Sequence, residues 1–566
     1  MKIIKYLLTT LLTTSLALNA SGVSKPQIGD VIRQAQPPKE LMKSKKEKQV
    51  KIKGIKPIEK LANKSDKYAK TIFIKSFKIR GNKHIKSKTL LSLINSYANK
   101  KLSFIDMQSV ANTITKEYRK QGYIVARAYI PVQKMNDSIL EIAVLEGVYG
   151  EFKIKNNSKV KTSLLQKIFD VNKKGETITN RTLERSLLIA DDLSGIKLSN
   201  ISIKAGKSVG SSDFQVTTTD NTKLYNGYLL VSDYGGRYTG ENQLNTGVNI
   251  LNPFHIGDKL SFYGTLSSNS GLVSGFLSYS APLNQYGLRG EFGYGTTHYK
   301  LSKEFASLDA LGSARNYHLL FAYPLVKQRL QSLNLSLRLE QNYLTDETRS
   351  TNTKVDKRLQ AYRLGVDYQK SNLKLFGLNQ LLKSSIVFTQ GNLKFKDATQ
   401  AALDKAGADT QGNFAKVHLV LKYNIGLTPK ISLENTISLQ HVLNNKNLDG
   451  SEDFSVGGAY GVKLYPSGEL SAENGYLYQV EAKYTLKNFG VYTHKIGFFY
   501  DIGRAYMQKP ISTFKSRILQ DIGLGYHVSY KQLFANLQVA RKVGTQKITS
   551  EPDRSYRVLM MWGMRF

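Results

Sequence analysis

The stretch from Phe454 to Pro466 reads F-S-V-G-G-A-Y-G-V-K-L-Y-P. It lies within an insertion of roughly thirty residues, Asn444 to Asn474, whereas connections inside compact folds are usually only a few residues long. Its three glycines allow backbone conformations that other residues avoid, its proline restricts one, and one cation, Lys463, stands at the apex. The segments on both sides alternate apolar and polar residues. The stretch therefore predicts a structured loop between two strands.

A later strand offers this loop a docking surface. Side chains alternate between the two faces of a strand, so Phe499, Asp501 and Gly503 share one face of the segment Ile496 to Gly503. The other face carries the apolar residues Ile496, Phe498, Tyr500 and Ile502. Because that apolar face suits lipid, we expect the Asp501 carboxylate to point inward.

These two stretches resemble motifs of the two-partner secretion translocators, the hemolysin secretion and activation type within the polypeptide-transport outer-membrane superfamily. The residues that match the tip of the family's long loop are Gly457, Gly458, Gly461, Val462, Lys463, Tyr465 and Pro466. The residues that match the barrel-wall motif on which this tip docks are Phe499, Asp501 and Gly503. The family tip usually carries Arg where this sequence has lysine. Since lysine lacks the planar fork of arginine, a contact between Lys463 and Asp501 would be a point-charge pair.

The resemblance implies an all-β transmembrane barrel of sixteen antiparallel strands, preceded by two α+β POTRA domains and an N-terminal plug helix. The chain then divides into a signal peptide at 1–20, a plug helix at 21–42, a linker at 43–70, POTRA domains at 71–147 and 148–220, and a barrel at 221–566 with an inward loop at 444–474. It further implies a protein of the Gram-negative outer membrane, with its POTRA domains in the periplasm, that exports one large secreted exoprotein. Neither catalytic residues nor cofactors are expected.

The composition agrees with an envelope protein. A chain of 566 residues is too long for one ordinary domain, and the lack of cysteine excludes disulfides and thiolate metal sites. The net charge of +38 suits nucleic acid, an anionic membrane surface or an acidic substrate. The basic residues are spread along the chain without a nucleic-acid-binding signature. We therefore expect outer-membrane lipid and lipopolysaccharide as partners and no nucleic acid, with a lysine-rich proteome as the alternative source of the charge.

The N-terminal region contains three successive patterns. Lys2 and Lys5 precede the apolar stretch Tyr6 to Leu18 and then small residues, which is typical of a secretory signal peptide. The segment Pro26 to Ala35 has its apolar residues at helical spacing. Lysine-rich residues 43–60 have few apolar side chains and indicate a solvated linker.

Two similar patterns follow the linker. Residues 72–147 show the order β-α-α-β-β, with a single first strand from Ile72 to Ile79, a helix from Phe104 to Gln121, and strands at 123–131 and 138–146. Residues 152–219 repeat this pattern, with helices at 162–169 and 181–192. Both copies resemble POTRA domains, which bind clients by adding an extended strand to a sheet edge.

The remainder of the chain alternates in segments of about ten residues, which is the pattern of a membrane barrel. Sixteen segments begin near 224, 240, 258, 271, 287, 314, 331, 358, 382, 414, 430, 474, 494, 515, 532 and 553. In the last segment Val558, Met560 and Trp562 are predicted to face lipid and Arg557 the lumen. The terminal Phe566 suits the aromatic girdle and resembles the signature that the barrel-assembly machinery recognises.

Other chemistry receives little support. Gly206 to Gly210 fits the G-x-S-x-G pattern of serine hydrolases, but the next residues lead into a strand rather than the required helix, so a β-turn is expected. The eight histidines show no metal-ligand spacing, and no metal site is predicted. Two alternatives to an exoprotein translocator remain open, an insertase of the same superfamily and a general porin or adhesin.

Overall fold

The computed structural model describes residues 28–35, 52–53, 70–135, 137–221, 223–375, 377–487 and 490–566. The predicted signal peptide, and the plug and linker segments apart from 28–35, 52–53 and 70, lie outside the described residues. Among the residues described, every helix falls short of the length and apolar character needed to cross a membrane.

The elements before residue 221 form a helix and two α+β units. The helix is α1 (Ile28–Ala35), and the short strand β1 (Ile52–Lys53) joins the sheet of the second unit. The first unit comprises β2 (Thr71–Ile74), β3 (Ser76–Arg80), α2 (Ser87–Ile94), β4 (Lys100–Ser103), α3 (Phe104–Lys120), β5 (Arg127–Tyr129) and β6 (Ile139–Leu145). The second comprises β7 (Val148–Asn157), α4 (Thr162–Asp170), α5 (Asn180–Asp191), β8 (Ile196–Ala205) and β9 (Ser211–Asp220).

The first unit confirms the predicted long helix but corrects the strand before it. Helix α3 begins with a capping box between Ser103 and Asp106 and buries Met107 and Ile114 in the core. The single strand predicted from Ile72 to Ile79 is wrong, because β2 pairs with β4 whereas β3 pairs with β6. Between them the Lys75 amide donates to the Ser138 carbonyl, at 2.8 Å, where the chain changes partner. The predicted strand at 123–131 is also too long, since residues 123–126 form turns.

The second unit has the predicted helices and strands. Its sheet has the order β1-β8-β9-β7, in which β1 lies parallel to β8 at the edge. The expected turn at Gly206 to Gly210 joins β8 to β9 and is closed by a 2.9 Å bond from the Gly206 amide to the Ser211 carbonyl. The serine of the hydrolase pattern therefore lies in a hairpin turn, as predicted.

The rest of the chain forms the closed sixteen-stranded antiparallel barrel that the alternation predicts. The strands around the wall are β10 (Tyr225–Ser232), β11 (Gln243–Leu251), β12 (Lys259–Ser267), β13 (Leu272–Pro282), β14 (Arg289–Lys300), β15 (Ala310–Lys327), β16 (Gln331–Thr348), β17 (Thr353–Leu375), β18 (Leu378–Phe395), β19 (Gly412–Gly426), β20 (Ile431–Val442), β23 (Asn474–Thr485), β24 (Thr493–Tyr506), β25 (Ile518–Tyr530), β26 (Leu533–Lys542) and β27 (Tyr556–Arg565). The largest error in a predicted start is at β17, expected near 358 and beginning at Thr353.

The short elements lie between the barrel strands. Strands β21 (Phe454–Ser455) and β22 (Ser471–Ala472) pair with each other within the long loop. A helix, α6 (Ala398–Ala406), follows β18. Turns of 3-10 helix occupy Ser268–Ser270, Lys303–Leu308, Arg349–Thr351 and Gly450–Glu452 in the barrel, and one more, Asn95–Tyr97, lies in the first α+β unit.

The wall has the alternation expected of a membrane barrel. In β27 the side chains of Val558, Met560 and Trp562 are exposed on the outer face, as predicted, while Arg557 reaches inward to the Tyr465 carbonyl at 3.2 Å. Arg185 of α5 donates to the Tyr286 and Leu325 carbonyls at one end of the barrel, so this is the end that the sequence analysis expects to face the periplasm.

Candidate functional site

The tip of the long loop is a tight turn that needs glycine. The Gly458 amide donates to the Tyr465 carbonyl at 2.8 Å, and the Val462 amide donates to the Val456 carbonyl at 2.8 Å. A Cβ on Gly461 would lie 2.1 Å from the Val456 oxygen, and Gly458 has a φ of +110°, which side chains rarely permit. Glycine at these positions therefore lets two backbone segments of the loop approach closely, so that the tight turn at its tip can form.

The apex places Lys463 against the barrel wall. Its Nζ lies 2.6 Å from Asp501 Oδ2 of β24 and 4.2 Å from the ring centroid of Phe499. Asp501 and Phe499 are buried, and the lysine is 8 % exposed. The structure thus brings the matched loop residue and the matched wall residues together, with the ammonium bound on one side by a carboxylate and on another by an aromatic face. We call this contact the clasp.

Small residues make room for the clasp. A Cβ on Gly503 would lie 2.6 Å from Val456 Cγ1 of the loop, and one on Gly523 would lie 2.3 Å from Phe499 Cζ. The absence of a side chain at Gly503 therefore lets Val456 of the loop approach the wall. Gly523, on β25, leaves the space that the Phe499 ring occupies.

A second carboxylate of the wall was missed by the sequence reading. Asp521 of β25 is fully buried, pairs in register with Asp501, and accepts the Leu464 amide at 2.6 Å. The segment D-I-G-L-G at 521–525 repeats the spacing of an inward acid followed by an inward glycine. That repeat, on the strand next to the wall motif, was the available signal.

Further hydrogen bonds fix the remainder of the tip. The Gln479 amide nitrogen of β23 donates to the Gly461 carbonyl at 2.8 Å and to Asp501 at 3.2 Å. The Tyr465 hydroxyl donates to the Gln546 carbonyl at 3.0 Å. Val462 and Tyr465 are fully buried. The Pro466 carbonyl leaves no space for a Cβ on Gly457, which would approach it to 2.3 Å.

The base of the loop is held by a second set of charges, on another part of the wall. Arg363 of β17 donates through both terminal nitrogens to the Glu452 carboxylate, at 2.6 and 3.1 Å, which is the bidentate geometry of strong pairs. Lys416 of β19 lies 2.8 Å from the same carboxylate. Lys357 lies 2.6 Å from Asp449. Neither acid was predicted, because each finds its partner only when the loop is folded inward.

Helix α1 lies in the lumen and binds the loop. The Arg33 guanidinium donates to the Gly450 and Asp453 carbonyls at 3.0 and 3.3 Å, and the Ser471 hydroxyl donates to Asp30 at 3.2 Å. Ile28 and Val31 are buried in a cluster with side chains of the barrel wall. The helix is therefore fastened to the loop as well as to the wall.

The remaining predicted site residue lies at the closure of the barrel. Phe566 exchanges two 3.0 Å backbone hydrogen bonds with Gly227 at the start of β10, and its ring makes an edge contact with Tyr225. Among the described residues, no group of three histidine or acidic side chains is arranged to hold a metal ion.

A closed barrel whose lumen holds a helix and a clasped loop, preceded by two α+β units, defines an outer-membrane transporter with POTRA domains. Comparison with known families agrees. The sequence model of the haemolysin secretion/activation protein ShlB/FhaC/HecB matches residues 210–527, and that of the ShlB-type POTRA domain matches 72–147. The chain belongs to this family of two-partner secretion transporters of the outer membrane, and its POTRA region lies in the periplasm.

Individual relatives extend the match to most of the chain. The heme/hemopexin transporter protein HuxB of Haemophilus influenzae strain 86-028NP is 25 % identical over 473 residues, covering 82 % of each chain. The solved structure of CdiB from Escherichia coli superposes with a TM-score of 0.71 at 18 % identity, covering 90 % of this chain and 94 % of that one. BamA from Haemophilus ducreyi, without POTRA domains 1–3, reaches a TM-score of 0.52 at 13 % identity, covering 88 % and 100 %. At these identities the structural likenesses concern the fold alone.

Proposed function

We propose that this protein exports one large partner exoprotein, such as a hemolysin or an adhesin, through its barrel and performs no catalysis itself. The POTRA pair captures the unfolded partner in the periplasm. Helix α1 then leaves the lumen, and the partner threads through and folds outside, which drives export without nucleotide. The observation that carries the proposal is the clasp beside α1, because a passive pore has no need of a fastened loop and a removable helix in its lumen.

The clasp is proposed to hold the loop against the wall during conduction. Lys463 lies within bonding distance of Asp501 and is almost buried, and removing one partner of such a pair typically costs about 3–5 kcal/mol. Loss of that much stabilising free energy would release the loop from the wall, and the released loop would lie in the path of the exoprotein. The assigned role of the residues of both motifs rests on this argument.

The test is export of the partner exoprotein by cells that carry Lys463→Ala or Asp501→Ala. Both variants should secrete at least about tenfold less, since a tenfold change corresponds to only about 1.4 kcal/mol. Lys446→Ala is the matched control, because this lysine of the same loop pairs at 3.3 Å with Asp409, which is not buried. Normal secretion by both clasp variants, with the barrel present at its normal level, would refute the role.

Two further partners complete the proposal. Phe566 supplies the terminal aromatic that the barrel-assembly machinery recognises, and the lipid-facing wall contacts outer-membrane lipid and lipopolysaccharide.

The barrel resembles BamA in fold, so an insertase is the second candidate. Depletion of the protein distinguishes the two, since loss of an insertase lowers the level of other barrels in the membrane, whereas loss of a translocator abolishes export of its partner only.

A further inference from the structure

The outer surface of the barrel carries a row of basic side chains across four neighbouring strands. Arg315 of β15 pairs with Tyr343 of β16, Tyr343 pairs with Arg358 of β17, and Arg358 pairs with Lys394 of β18. Residues paired in register lie side by side on the same face of a sheet. All four side chains are exposed, and we call them the basic row.

The charges of the basic row are not neutralised by the protein. The guanidinium carbons of Arg315 and Arg358 each lie 5.9 Å from the ring centroid of Tyr343, which therefore separates two cations. Arg358 donates to the Gln341 side-chain oxygen at 3.2 Å. Among the described residues, no carboxylate forms an ion pair with any of the three cations of the row. Because like charges this close repel one another, the arrangement favours a bound anion.

The height of the basic row places it at the outer surface of the membrane. An exposed apolar row lies on the same four strands, six residues closer to the periplasm. It consists of Phe321, Leu337, Leu364 and Phe388. Six residues span about 20 Å along a strand, or about 15 Å along the membrane normal at the usual tilt. The apolar row lies near the middle of the lipid-facing band, because Tyr362 and Val366 on either side of Leu364 are also exposed, and about 15 Å exceeds half of the roughly 25 Å height of that band. The basic row therefore lies at head-group level, on the side opposite the α5 contact.

We propose that the basic row binds the phosphate groups of the phosphorylated glycolipid of the outer leaflet, the lipid A part of lipopolysaccharide. Arginine is suited to phosphate because its fork donates two hydrogen bonds to one anion. The row spans three strand spacings, about 14 Å, which a single inorganic phosphate does not bridge and a lipid with two separated phosphates does. The apolar row below provides the surface for its acyl chains.

The test is binding of fluorescent diphosphoryl lipopolysaccharide to the full chain in detergent, by microscale thermophoresis. The double variant Arg315→Gln/Arg358→Gln should bind at least about tenfold more weakly than the unchanged protein, from the loss of two charge-assisted contacts. The control is Lys430→Gln/Lys531→Gln, which removes two exposed charges at periplasmic turns and should leave the affinity unchanged. Should the double variant fail to fold, Lys394→Gln alone should weaken binding several-fold.

Four results would overturn the proposal. The first is an equal loss of affinity in the control, which indicates a general charge effect. The second is unchanged binding of a dephosphorylated glycolipid, which means that phosphate is not recognised. The third is displacement by millimolar inorganic phosphate, which identifies a free-anion site. The fourth is phosphatidylglycerol binding that is equally strong and equally sensitive to the double variant, which removes the preference for the outer-leaflet lipid.

Discussion

At the scale of single residues, the clasp shows how lysine serves where the family usually has arginine. The ammonium of Lys463 bonds to one carboxylate, and the Phe499 ring covers another side of it. A desolvated cation–π contact contributes up to about 2 kcal/mol. The neighbouring acid, Asp521, is bound instead by the Leu464 amide. The Leu464 amide and the Phe499 ring therefore add contacts at this site to the single charge pair that the lysine makes.

Gly461→Ala should displace the tip of the loop. The added methyl group would lie 2.1 Å from the Val456 carbonyl oxygen, which belongs to rigid backbone, so the turn must open. A spin label on Cys introduced at Tyr460, whose side chain is 54 % exposed, should become more mobile by electron paramagnetic resonance. Gly275→Ala is the control, because a Cβ there meets nothing within 4 Å. Equal mobility of the label in the two proteins would contradict this account of the turn.

At the scale of elements, the alternation of side chains predicted the barrel well and the inner contacts poorly. A barrel strand has one lipid face, so its pattern is visible in the sequence, and the late strands such as β23 (Asn474–Thr485) begin where expected. The acid–glycine repeat at Asp521 was visible in the sequence, but the partner change at Lys75 depends on which distant strands become neighbours. A single sequence contains no signal for such long-range pairing. The loop tip and the wall motif could be proposed from the sequence because their residue types are specific.

In the first POTRA unit, one buried carboxylate ties the end of β6 to α3 and to the turn after β3. Glu146 accepts the amides of Lys83 and His84 at 2.7 and 2.8 Å, the His84 ring at 2.6 Å and the Tyr118 hydroxyl at 2.9 Å. Burial alone would raise the pKa of Glu146, but these hydrogen bonds outweigh it and lower the pKa below its usual 4.5. The carboxylate thus stabilises the folded unit in its ionised form.

Glu146→Gln should destabilise this unit by about 2 kcal/mol at pH 7, because hydrogen bonds to a charged group are lost. Since the folded-state pKa is the lower one, the contribution is complete above the unfolded-state value of 4.5 and is lost as the pH falls through the folded-state pKa. The difference in free energy of unfolding between the variant and the unchanged protein should therefore become smaller below pH 4.5. Hydrogen exchange of peptides from residues 71–147, measured at increasing urea concentrations, gives this free energy for each protein. The control Glu151→Gln, which removes an exposed ion pair with Lys207, should change the free energy of unfolding very little. If the difference caused by Glu146→Gln does not vary with pH, the ionisation of Glu146 does not contribute to stability as described.

At the scale of the whole molecule, the POTRA region is joined to the barrel through α5 (Asn180–Asp191). Arg185 donates to the carbonyls of Tyr286 and Leu325 at 3.1 and 3.3 Å. At the end of the same helix Asp192 pairs with Lys327 at 2.6 Å. These contacts hold the turn before β14 and the periplasmic end of β15 against the POTRA region.

Arg185→Ala should loosen this joint without unfolding either part, because only contacts between the two are removed. Double electron–electron resonance between one label in the second POTRA unit and one in the barrel should give a broader distance distribution than in the unchanged protein. Lys167→Ala, which removes an exposed cation on α4 of the same unit, is the control and should leave the distribution narrow. If Arg185→Ala also leaves it narrow, the joint is held by other contacts.

In the lumen, α1 (Ile28–Ala35) is fastened to the long loop through Arg33. Its charged guanidinium donates three hydrogen bonds to the loop, to the carbonyls of Gly450 and Asp453 and to the Ser471 hydroxyl, and each such bond contributes about 1.5–3 kcal/mol. Arg33→Ala should therefore increase the population with an open lumen by at least tenfold. Planar-bilayer recordings should show a larger fraction of time in the conducting state. Arg349→Ala, which removes an exposed arginine paired with Glu347 at 3.1 Å, should conduct like the unchanged protein. Identical open times for both variants would mean that Arg33 does not retain the helix, and that its other contacts with the wall and the loop keep it in the lumen.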